Sequence, residues 1–281
     1  MVSSPRISVV VPTYHAEKYL GECLDSLIGQ TLRPYEIIVC DDGSTDRTPE
    51  LIERYADAHP DLIRPVLHPS NQGISRNLNS GFQRVKGDWV SLCAGDDWWA
   101  ANKLEREMES LAADPMVRWT YSDSISYHQR TKEIERFKRV YDGVSGQILY
   151  HVLTRQLSLR NWMAHISLIR EVGLFDEALK CFEDWDYKIR LAMRSPIVHC
   201  SNPGVYYRRH RHGISRRLRQ NAVWLEKIHV KHEHLLKEFT EPQASELKRI
   251  WKRDLANHKR RWKLIPYARW IARRLMLKSF R

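Results

Sequence analysis

Residues 89–99, WVSLCAGDDWW, join an apolar run to two adjacent carboxylates, Asp96 and Asp97. The run Trp89–Cys93 has no helical period, and its Val, Leu and Trp residues are typical of a strand covered on both faces. Open α/β sheets bind ligands beyond the carboxyl ends of their strands, where paired acids can hold a divalent cation on phosphate oxygens. The alternative is a solvated turn or an N-cap for a helix near Asn102, since Gly-Asp-Asp also favours turns.

Strands and helices alternate on the N-terminal side of this stretch. Helices of about 10–15 residues between strands predict right-handed crossovers and an α/β fold with a mostly parallel sheet. The predicted strands are Ile7–Val11, Glu36–Cys40, Ile63–His68 and the run at Trp89. Helical spacing recurs through Tyr19–Ile28 and Leu51–Tyr55, and a further helix is predicted through Phe82 and Val85.

The pattern is weaker on the C-terminal side. We expect a helix over Asn102–Ala113, a strand over Val117–Tyr127 and a helix over Glu183–Met193. Ile197–Cys200 and Val205–Tyr207 are predicted as two short strands.

The formal net charge of +12 is concentrated near the C-terminus. Residues 208–281 hold 22 Lys and Arg against 6 Asp and Glu, whereas residues 1–207 hold 24 and 28. Such a tail indicates contact with anionic lipid, nucleic acid or a polyanionic substrate. Leu247–Phe280 interleaves Trp, Leu and Ile with basic residues, which favours an amphipathic helix on an anionic membrane surface over a protein partner. No nucleic-acid motif accompanies it, so nucleic acid is the least favoured partner.

The cysteines and the hydropathy pattern predict the location of the protein. Five scattered cysteines without a Cys-x-x-Cys pair suit a reducing cytosol and argue against a zinc site. The N-terminal apolar run is too short for a signal peptide, and there is no uncharged apolar stretch of about 18 residues. We therefore expect a cytoplasmic protein, not membrane-spanning, that is peripheral on the inner face of the plasma membrane.

Two further acidic clusters are candidate functional sites. The loop Asp41–Asp46 follows a predicted strand, so its carboxylates share a sheet edge with Asp96 and can accept from a base N–H or from ribose hydroxyls. The glycine pattern of a phosphate-binding loop is absent, so a nucleotide would be held by acids and a metal ion. Glu183 and Asp184 are either a helix start enriched in acids or the location of a general base.

The run YYRRHRHGIS at residues 206–215 offers cations and imidazoles. It predicts either a clamp on a diphosphate with a metal-binding histidine or a solvated basic loop at the start of the tail.

Six motifs occur in order, and together they resemble the family 2 glycosyltransferases of GT-A fold over about residues 6–215. They are VVVPTYHAEKYLGECLDSLIGQTL (9–32), EIIVCDDGSTDRT (36–48), NQGIS (71–75), GDWVSLCAGDDWW (87–99), EVGLFDEALKCFEDWDYKIRLA (171–192) and YYRRHRHGIS (206–215). Their order and spacing make the resemblance far more specific than any one motif.

The resemblance implies a metal-dependent, inverting transfer of a hexose-type sugar from a nucleotide-sugar, commonly a UDP- or dTDP-sugar, to a hydroxyl acceptor. The cation would be manganese or magnesium. The residues it assigns are Thr13 and Asp42 with Asp41 beside them for the nucleoside, Asp96 and Asp97 for the ribose, diphosphate and metal, Asp184 as the catalytic base, and His210 or His212 near the diphosphate.

Three departures from the family pattern affect these assignments. Ala94 stands where many members have the first acid of Asp-x-Asp-Asp, so the metal would depend mainly on Asp97. Leu78 replaces the arginine of an Arg-Asn pair, and Arg76 is the candidate substitute. The tail has HKRRW at 258–262 rather than the Gln-x-x-Arg-Trp of processive members. We take that near-match as chance and expect one sugar per encounter.

The predicted organisation is a GT-A domain over 1–215, with a nucleotide-sugar half to about 115 and an acceptor half beyond it, and a basic helical extension over 216–281. The basic tail predicts a lipid-linked or cell-surface glycan precursor as acceptor, as in polysaccharide biosynthesis. Two other functions remain open on sequence alone: an inactive nucleotide-binding scaffold of the same fold, and a basic nucleic-acid-binding protein.

Overall fold

A computed structural model describes residues 4–136, 143–157, 159–210 and 218–276, with the side chains of the last range described from residue 222 to residue 260. His212 therefore lies outside the described residues. The chain divides into two compact units, Met1–Arg211 and His212–Arg281.

The first unit begins with the predicted alternation of strands and helices. Its strands β3, β2, β1 and β4 lie in that order and are all parallel. The elements are β1 (Ile7–Thr13), α1 (Leu20–Ile28), β2 (Glu36–Asp41), α2 (Thr48–Ala58), β3 (Ile63–Leu67), α3 (Ile74–Phe82) and β4 (Trp89–Leu92).

The same sheet continues from β4 through β8, β6 and β9 to β5, and β7 pairs with β6. The long β6–β9 ladder is parallel, whereas the shorter β4–β8, β6–β8, β6–β7 and β5–β9 pairings are antiparallel. The elements are β5 (Trp98–Trp99), α4 (Lys103–Ala112), β6 (Trp119–His128), β7 (Ile134–Arg136), α5 (Leu149–Leu153), β8 (Met163–His165), α6 (Ile166–Val172), α7 (Glu183–Ala192) and β9 (Val198–Arg209). This mixed α/β fold with a mostly parallel sheet confirms the predicted fold class.

The prediction of two short strands after residue 196 is wrong, because β9 is continuous through Asn202, Pro203 and Gly204. The register of β9 against β6 shifts on both sides of Asp123, so the extra residues are taken up as bulges. A Cβ on Gly204 would lie 2.1 Å from Ser122 Oγ, so only glycine lets the strands approach here. Turn-forming residues therefore mark a bulge rather than the end of a strand.

The hydrophobic core covers both faces of the parallel strands. On one face, buried residues of β1 and β2 such as Val9 and Val39 pack with the apolar stripes of α1, α2 and α4. On the other, α3 lies so close that a Cβ on Gly81 would be 2.6 Å from Val10 Cγ1. Burial on both faces explains why these strands are continuous apolar runs.

The second unit contains α8 (Leu218–His232), a 3-10 segment (Glu233–Glu238) and α9 (Glu241–Met276). Its buried side chains include Leu225, Ile228, Leu235, Leu247, Ile250 and Trp251. Trp251 stacks on His229 with ring centres 4.7 Å apart, so this tryptophan of the predicted membrane-facing stripe is instead part of the core. Among the described residues, no helix is both long and apolar enough to cross a membrane.

Candidate active site

The carboxyl ends of β1, β2 and β4 meet at one edge of the sheet. Thr13 lies opposite Asp41 in the ladder and donates its hydroxyl to Asp41 Oδ1 at 3.0 Å. The Asp42 N–H donates to the Thr13 carbonyl at 3.0 Å. A Cβ on Gly95 would lie 2.8 Å from Thr13 Cγ2, which places the Asp96 turn against the same residue. Parallel pairing thus brings together acids that are about 55 residues apart in the chain.

Asp41 and Asp42 are buried and accept hydrogen bonds from neighbouring loops. Asp41 accepts from the backbone N–H of Ser44 at 2.8 Å and from its hydroxyl at 2.5 Å. Asp42 accepts from the N–H groups of Gln72 at 2.7 Å and Gly73 at 3.0 Å. A carboxylate has about four acceptor positions, so Asp41 and Asp42 hold the neighbouring loops and each keep at least one acceptor position for a ligand.

Asp97 lies almost entirely below the surface, and its Oδ1 accepts from the Arg208 backbone N–H at 2.8 Å. Burial and the adjacent carboxylate of Asp96 raise the pKa of Asp97 well above its usual value, while the hydrogen bond from Arg208 and the guanidinium of Arg160 oppose this rise. The Asp96–Asp97 turn does not cap α4, because Asn102 is the N-cap residue. The turn therefore presents a buried carboxylate that added positive charge would stabilise.

Asp96 is more exposed than Asp97 and faces a histidine. Its Oδ2 lies 2.9 Å from His210 Nε2, and the His210 ring is tilted against Tyr19 with centres 4.8 Å apart. The structure therefore brings His210 to the paired acids, as the family resemblance implies.

Arg208 is not solvated, so the interpretation of the basic run as a solvated loop is wrong for this residue. Its guanidinium donates to the Asp96 carbonyl at 2.9 Å, to Gln129 Oε1 at 2.8 Å and to Glu22 Oε2 at 2.5 Å. It also lies 4.4 Å from the centre of the Trp98 ring. The side chain is 4% exposed, so Arg208 holds the acidic turn from the buried side.

Asp184 lies in the first turn of α7, 58% exposed, with Lys188 Nζ at 2.7 Å from its Oδ2. Desolvation works against its charge, but Lys188 and Arg155 outweigh it and hold the pKa of Asp184 below its usual value. Phe182, the N-cap residue, has φ 62°, a left-handed conformation that is rare for a bulky residue. The Arg155 guanidinium lies 5.0 Å from the ring centres of both Phe182 and Trp185. Asp184 is therefore ionised and held on a constrained helix start.

The helix α3 joins the turn before α7 to the sheet edge at Asp42. It begins just after Gly73, whose N–H binds Asp42. Ser75 Oγ donates to the Leu179 carbonyl at 3.0 Å, and Asn79 Nδ2 donates to the Phe175 carbonyl at 3.0 Å. Arg76, the candidate substitute for the family's arginine, pairs with Glu177 at 3.0 Å. The structure thus uses Arg76 to tie α3 to this turn.

Two arginines that are close in the sequence act on the two acids. Arg155 contributes to the lowered pKa of Asp184, whereas Arg160 opposes the rise in the pKa of Asp97. The two acids themselves are 87 positions apart in the sequence.

The donor set fits a hard divalent cation. Among the described residues no group of three or more His, Cys, Asp and Glu side chains is arranged to hold a metal. Asp97 and Asp96 supply carboxylate oxygens, which magnesium and manganese prefer, and such ions commonly take only one or two protein carboxylates together with substrate phosphates. Burial and the charge of Asp96 disfavour the ionised form of Asp97, so a cation bound there would stabilise that form.

Sequence reasoning missed several residues of the site. Glu22 and Gln129 are ordinary polar residues in the sequence and carry no signal, and Arg208 was recognised only as part of a basic run. Tyr14 follows Thr13 with 47% exposure and stacks on His15 with ring centres 4.2 Å apart. An exposed aromatic residue at the end of a buried strand is the one signal that could have identified it.

The family model described as "Glycosyl transferase family 2" matches residues 8–166. The chain belongs to glycosyl transferase family 2. Among its relatives is the uncharacterized glycosyltransferase EpsJ of Bacillus subtilis, 37% identical over 215 residues, which are 72% of this chain and 60% of EpsJ. The chain spans about 60% of the length of the first curated relatives it matches.

Solved structures of glycosyltransferases share the fold. S. aureus TarS 1–349 in complex with UDP-GlcNAc matches with a TM-score of 0.65 at 19% identity, covering 86% of this chain and 70% of that one. The mannosyltransferase PcManGT from Pyrobaculum calidifontis, in complex with GDP-Man and Mn2+, matches with a TM-score of 0.61 at 20% identity. The match covers 98% of this chain and 81% of that one. The predicted GT-A fold is therefore confirmed.

Proposed function

We propose that this family 2 member is an inverting, non-processive glycosyltransferase that moves one sugar from a nucleotide-sugar to a hydroxyl acceptor. The observation that carries the proposal is that Thr13, Asp42 and the Asp96–Asp97 turn lie at one sheet edge. The helix α3, which begins beside Asp42, is hydrogen-bonded to the turn that precedes Asp184. Neighbours of the same fold bind UDP-GlcNAc or GDP-Man with Mn2+, which supports a nucleotide-sugar as the donor.

Each group of residues has a separate task in this proposal. Thr13 and Asp42, with Asp41 beside them, bind the nucleoside, and Asp96 faces the ribose and diphosphate with His210. A divalent cation, manganese or magnesium, held by Asp97 and Asp96 would neutralise the negative charge of the departing diphosphate. Arg208 keeps the acidic turn in position through the Asp96 carbonyl and the Asp97 carboxylate.

Asp184 accepts the proton of the acceptor hydroxyl as the oxygen attacks the anomeric carbon. The new C–O bond forms while the bond from that carbon to the diphosphate oxygen breaks, and its electron pair leaves with the nucleoside diphosphate. Attack from the side opposite the leaving group inverts the anomeric configuration. An exposed and ionised carboxylate is suited to this step, because a general base must be unprotonated and reachable.

A thermal-unfolding screen with UDP-, dTDP- and GDP-sugars, with and without manganese, tests this function. A ligand that binds only the native protein raises the midpoint, so we expect one nucleotide class to do so, and more strongly with manganese. Release of the nucleoside diphosphate on addition of a glycan acceptor then shows transfer. Binding without release under any acceptor would favour a nucleotide-binding scaffold, and no shift with any donor would refute the proposal.

We also propose that the acceptor is lipid-linked and that the C-terminal unit binds the anionic membrane surface on the cytoplasmic side. Exposed basic side chains recur along the described part of α9, at Lys248, Arg249, Lys252, Arg253, Lys259 and Arg260. Each basic residue near an anionic surface contributes about 1 kcal/mol. This placement would bring a peripheral enzyme to a membrane-borne acceptor.

A further inference from the structure

Arg160 is an exposed arginine that lies on an aromatic ring beside the acidic turn. Its Cζ lies 4.1 Å from the centre of the Tyr207 ring. Tyr207 directly precedes Arg208, whose backbone N–H binds Asp97 at 2.8 Å. A guanidinium stacked on a ring keeps its donors in the plane, where they can form paired hydrogen bonds with phosphate oxygens.

The backbone on both sides of Arg160 is firmly held. Leu159 and Asn161 are buried at 6% and 2% exposure. Asn161 Oδ1 accepts from the Ser122 backbone N–H at 3.3 Å, and its Nδ2 donates to the Ser122 carbonyl at 3.0 Å. The next carbonyl, that of Trp162, accepts from Ser91 Oγ at 3.1 Å. An exposed charge between two buried neighbours is thus presented from a fixed position.

Two contacts place Arg160 near the end of β4, where the acidic turn follows. Trp162, two residues later in the chain, accepts from Ser91 of β4. The Tyr207 ring under Arg160 belongs to the residue just before Arg208, whose N–H binds Asp97. A diphosphate held at the acidic turn would therefore lie on the side of β4 and β9 where this guanidinium is presented.

We propose that Arg160, supported by Tyr207, binds the β-phosphate of the donor's diphosphate and keeps the leaving group in place. This inference rests on the proposed function, because it requires a nucleoside diphosphate at the acidic turn. It makes Arg160 a donor-binding residue that the sequence motifs do not mark.

Calorimetric titration with UDP, UMP, GDP and GMP, at saturating manganese, tests the inference on the full chain. For the diphosphate that the wild-type protein binds, we expect Arg160→Gln to weaken binding about tenfold to a hundredfold, as for loss of charged hydrogen bonds. Binding of the matching monophosphate should change less than about twofold, because it has no β-phosphate. Arg160→Lys should retain part of the affinity, since it keeps the charge without the paired donors.

Three further variants control the experiment. Arg54→Gln removes an exposed guanidinium on α2 and should bind both nucleotides as the wild type does. Tyr207→Phe keeps the ring and should retain more of the diphosphate affinity than Tyr207→Leu, which should weaken binding of the diphosphate but not of the monophosphate. The thermal midpoint of each variant checks its folding.

The outcomes separate the inference from the proposed function. If Arg160→Gln leaves diphosphate binding unchanged, or weakens the mono- and diphosphate equally, the role of Arg160 is refuted while donor binding stands. If the wild-type protein binds neither UDP nor GDP, the titration is repeated with dTDP and dTMP. If it binds none of the three diphosphates, the proposed function and this inference fail together.

Discussion

Glu183 and Asp184 are adjacent but differ in ionisation, because their surroundings differ. Burial and the neighbouring charge of Asp184 raise the pKa of Glu183 to about 7. The cations Lys188 and Arg155 outweigh desolvation and hold the pKa of Asp184 below its usual value. Near neutral pH, Asp184 carries the charge while Glu183 is partly protonated. Two carboxyls with separated pKa values favour distinct roles, and Asp184 is the one fit to be a base.

Asp184→Asn should remove most transfer while leaving donor binding intact. The amide cannot accept the acceptor's proton, and loss of a general base costs about a hundredfold to ten-thousandfold in rate. Turnover and the affinity for the donor are measured on the same preparation. Asp57→Asn, on exposed helix surface, is the control. Transfer at the wild-type rate by Asp184→Asn would show that the base is another residue.

Glu183→Gln should stabilise the fold more at pH 8 than at pH 5. The folded pKa of about 7 lies above the ordinary value of 4.5, so the contribution of Glu183 to wild-type stability is greatest below pH 4.5 and is lost as the pH rises to about 7. Glutamine does not ionise, and the expected gain at pH 8 is on the order of 2 kcal/mol. Urea unfolding at the two pH values measures it. An equal effect at both pH values would contradict the raised pKa.

At the scale of single elements, α4 is held to the sheet by a buried polar network. Lys103 Nζ donates to Glu107 Oε2 at 2.7 Å, and both side chains are fully buried. Lys103 also lies 4.0 Å from the Trp99 ring centre. Ser122 Oγ donates to Glu107 Oε1 at 2.8 Å, and Ser122 in turn binds Asn161 beside Arg160. The network therefore connects α4, on one side of the sheet, with the segment that contains Arg160 and Asn161.

Lys103→Met should lower the free energy of unfolding by about 3–5 kcal/mol, because it leaves the Glu107 carboxylate buried without its cation. Combining it with Glu107→Gln should recover part of that loss. Arg106→Met on the same helix breaks only the exposed pair with Glu109 and should cost less than about 1 kcal/mol. Chemical denaturation compares the three. Equal losses in the free energy of unfolding for Lys103→Met and Arg106→Met would show that the buried pair contributes no more to stability than the exposed pair.

At the scale of the whole molecule, the formal charge is divided between a mildly acidic body and a basic C-terminal region. Replacing Lys248, Arg249, Lys252 and Arg253 with glutamine should release the protein from anionic vesicles, since about 1 kcal/mol is lost per basic residue. Sedimentation with vesicles of phosphatidylserine and phosphatidylcholine measures it, with pure phosphatidylcholine as control. These side chains are exposed, so the fold should survive. Undiminished binding by the variant would refute the membrane role of α9.

Much of the fold and part of the site were predictable from the sequence. Apolar runs that end at Thr13, Asp41 and Cys93 mark strands of a parallel sheet, and parallel strands necessarily bring their carboxyl ends together. The single strand β9 was not predictable, because Asn202, Pro203 and Gly204 have the chemistry of a turn and only pairing with β6 makes them a bulge. Trp251 was misplaced for a similar reason. The composition of the segment around it suits a membrane surface, but Trp251 packs on His229.

Local periodicity and motifs in a set order are enough to predict the alternation of strands and helices, the family, and the acids at the strand ends. The partner that each charge faces is known only from the folded chain. Arg208 binds Glu22, 186 residues away in the chain, and Arg160 lies on Tyr207. Such pairings follow from packing between distant segments, and burial then decides how strongly each charge interacts with its neighbours.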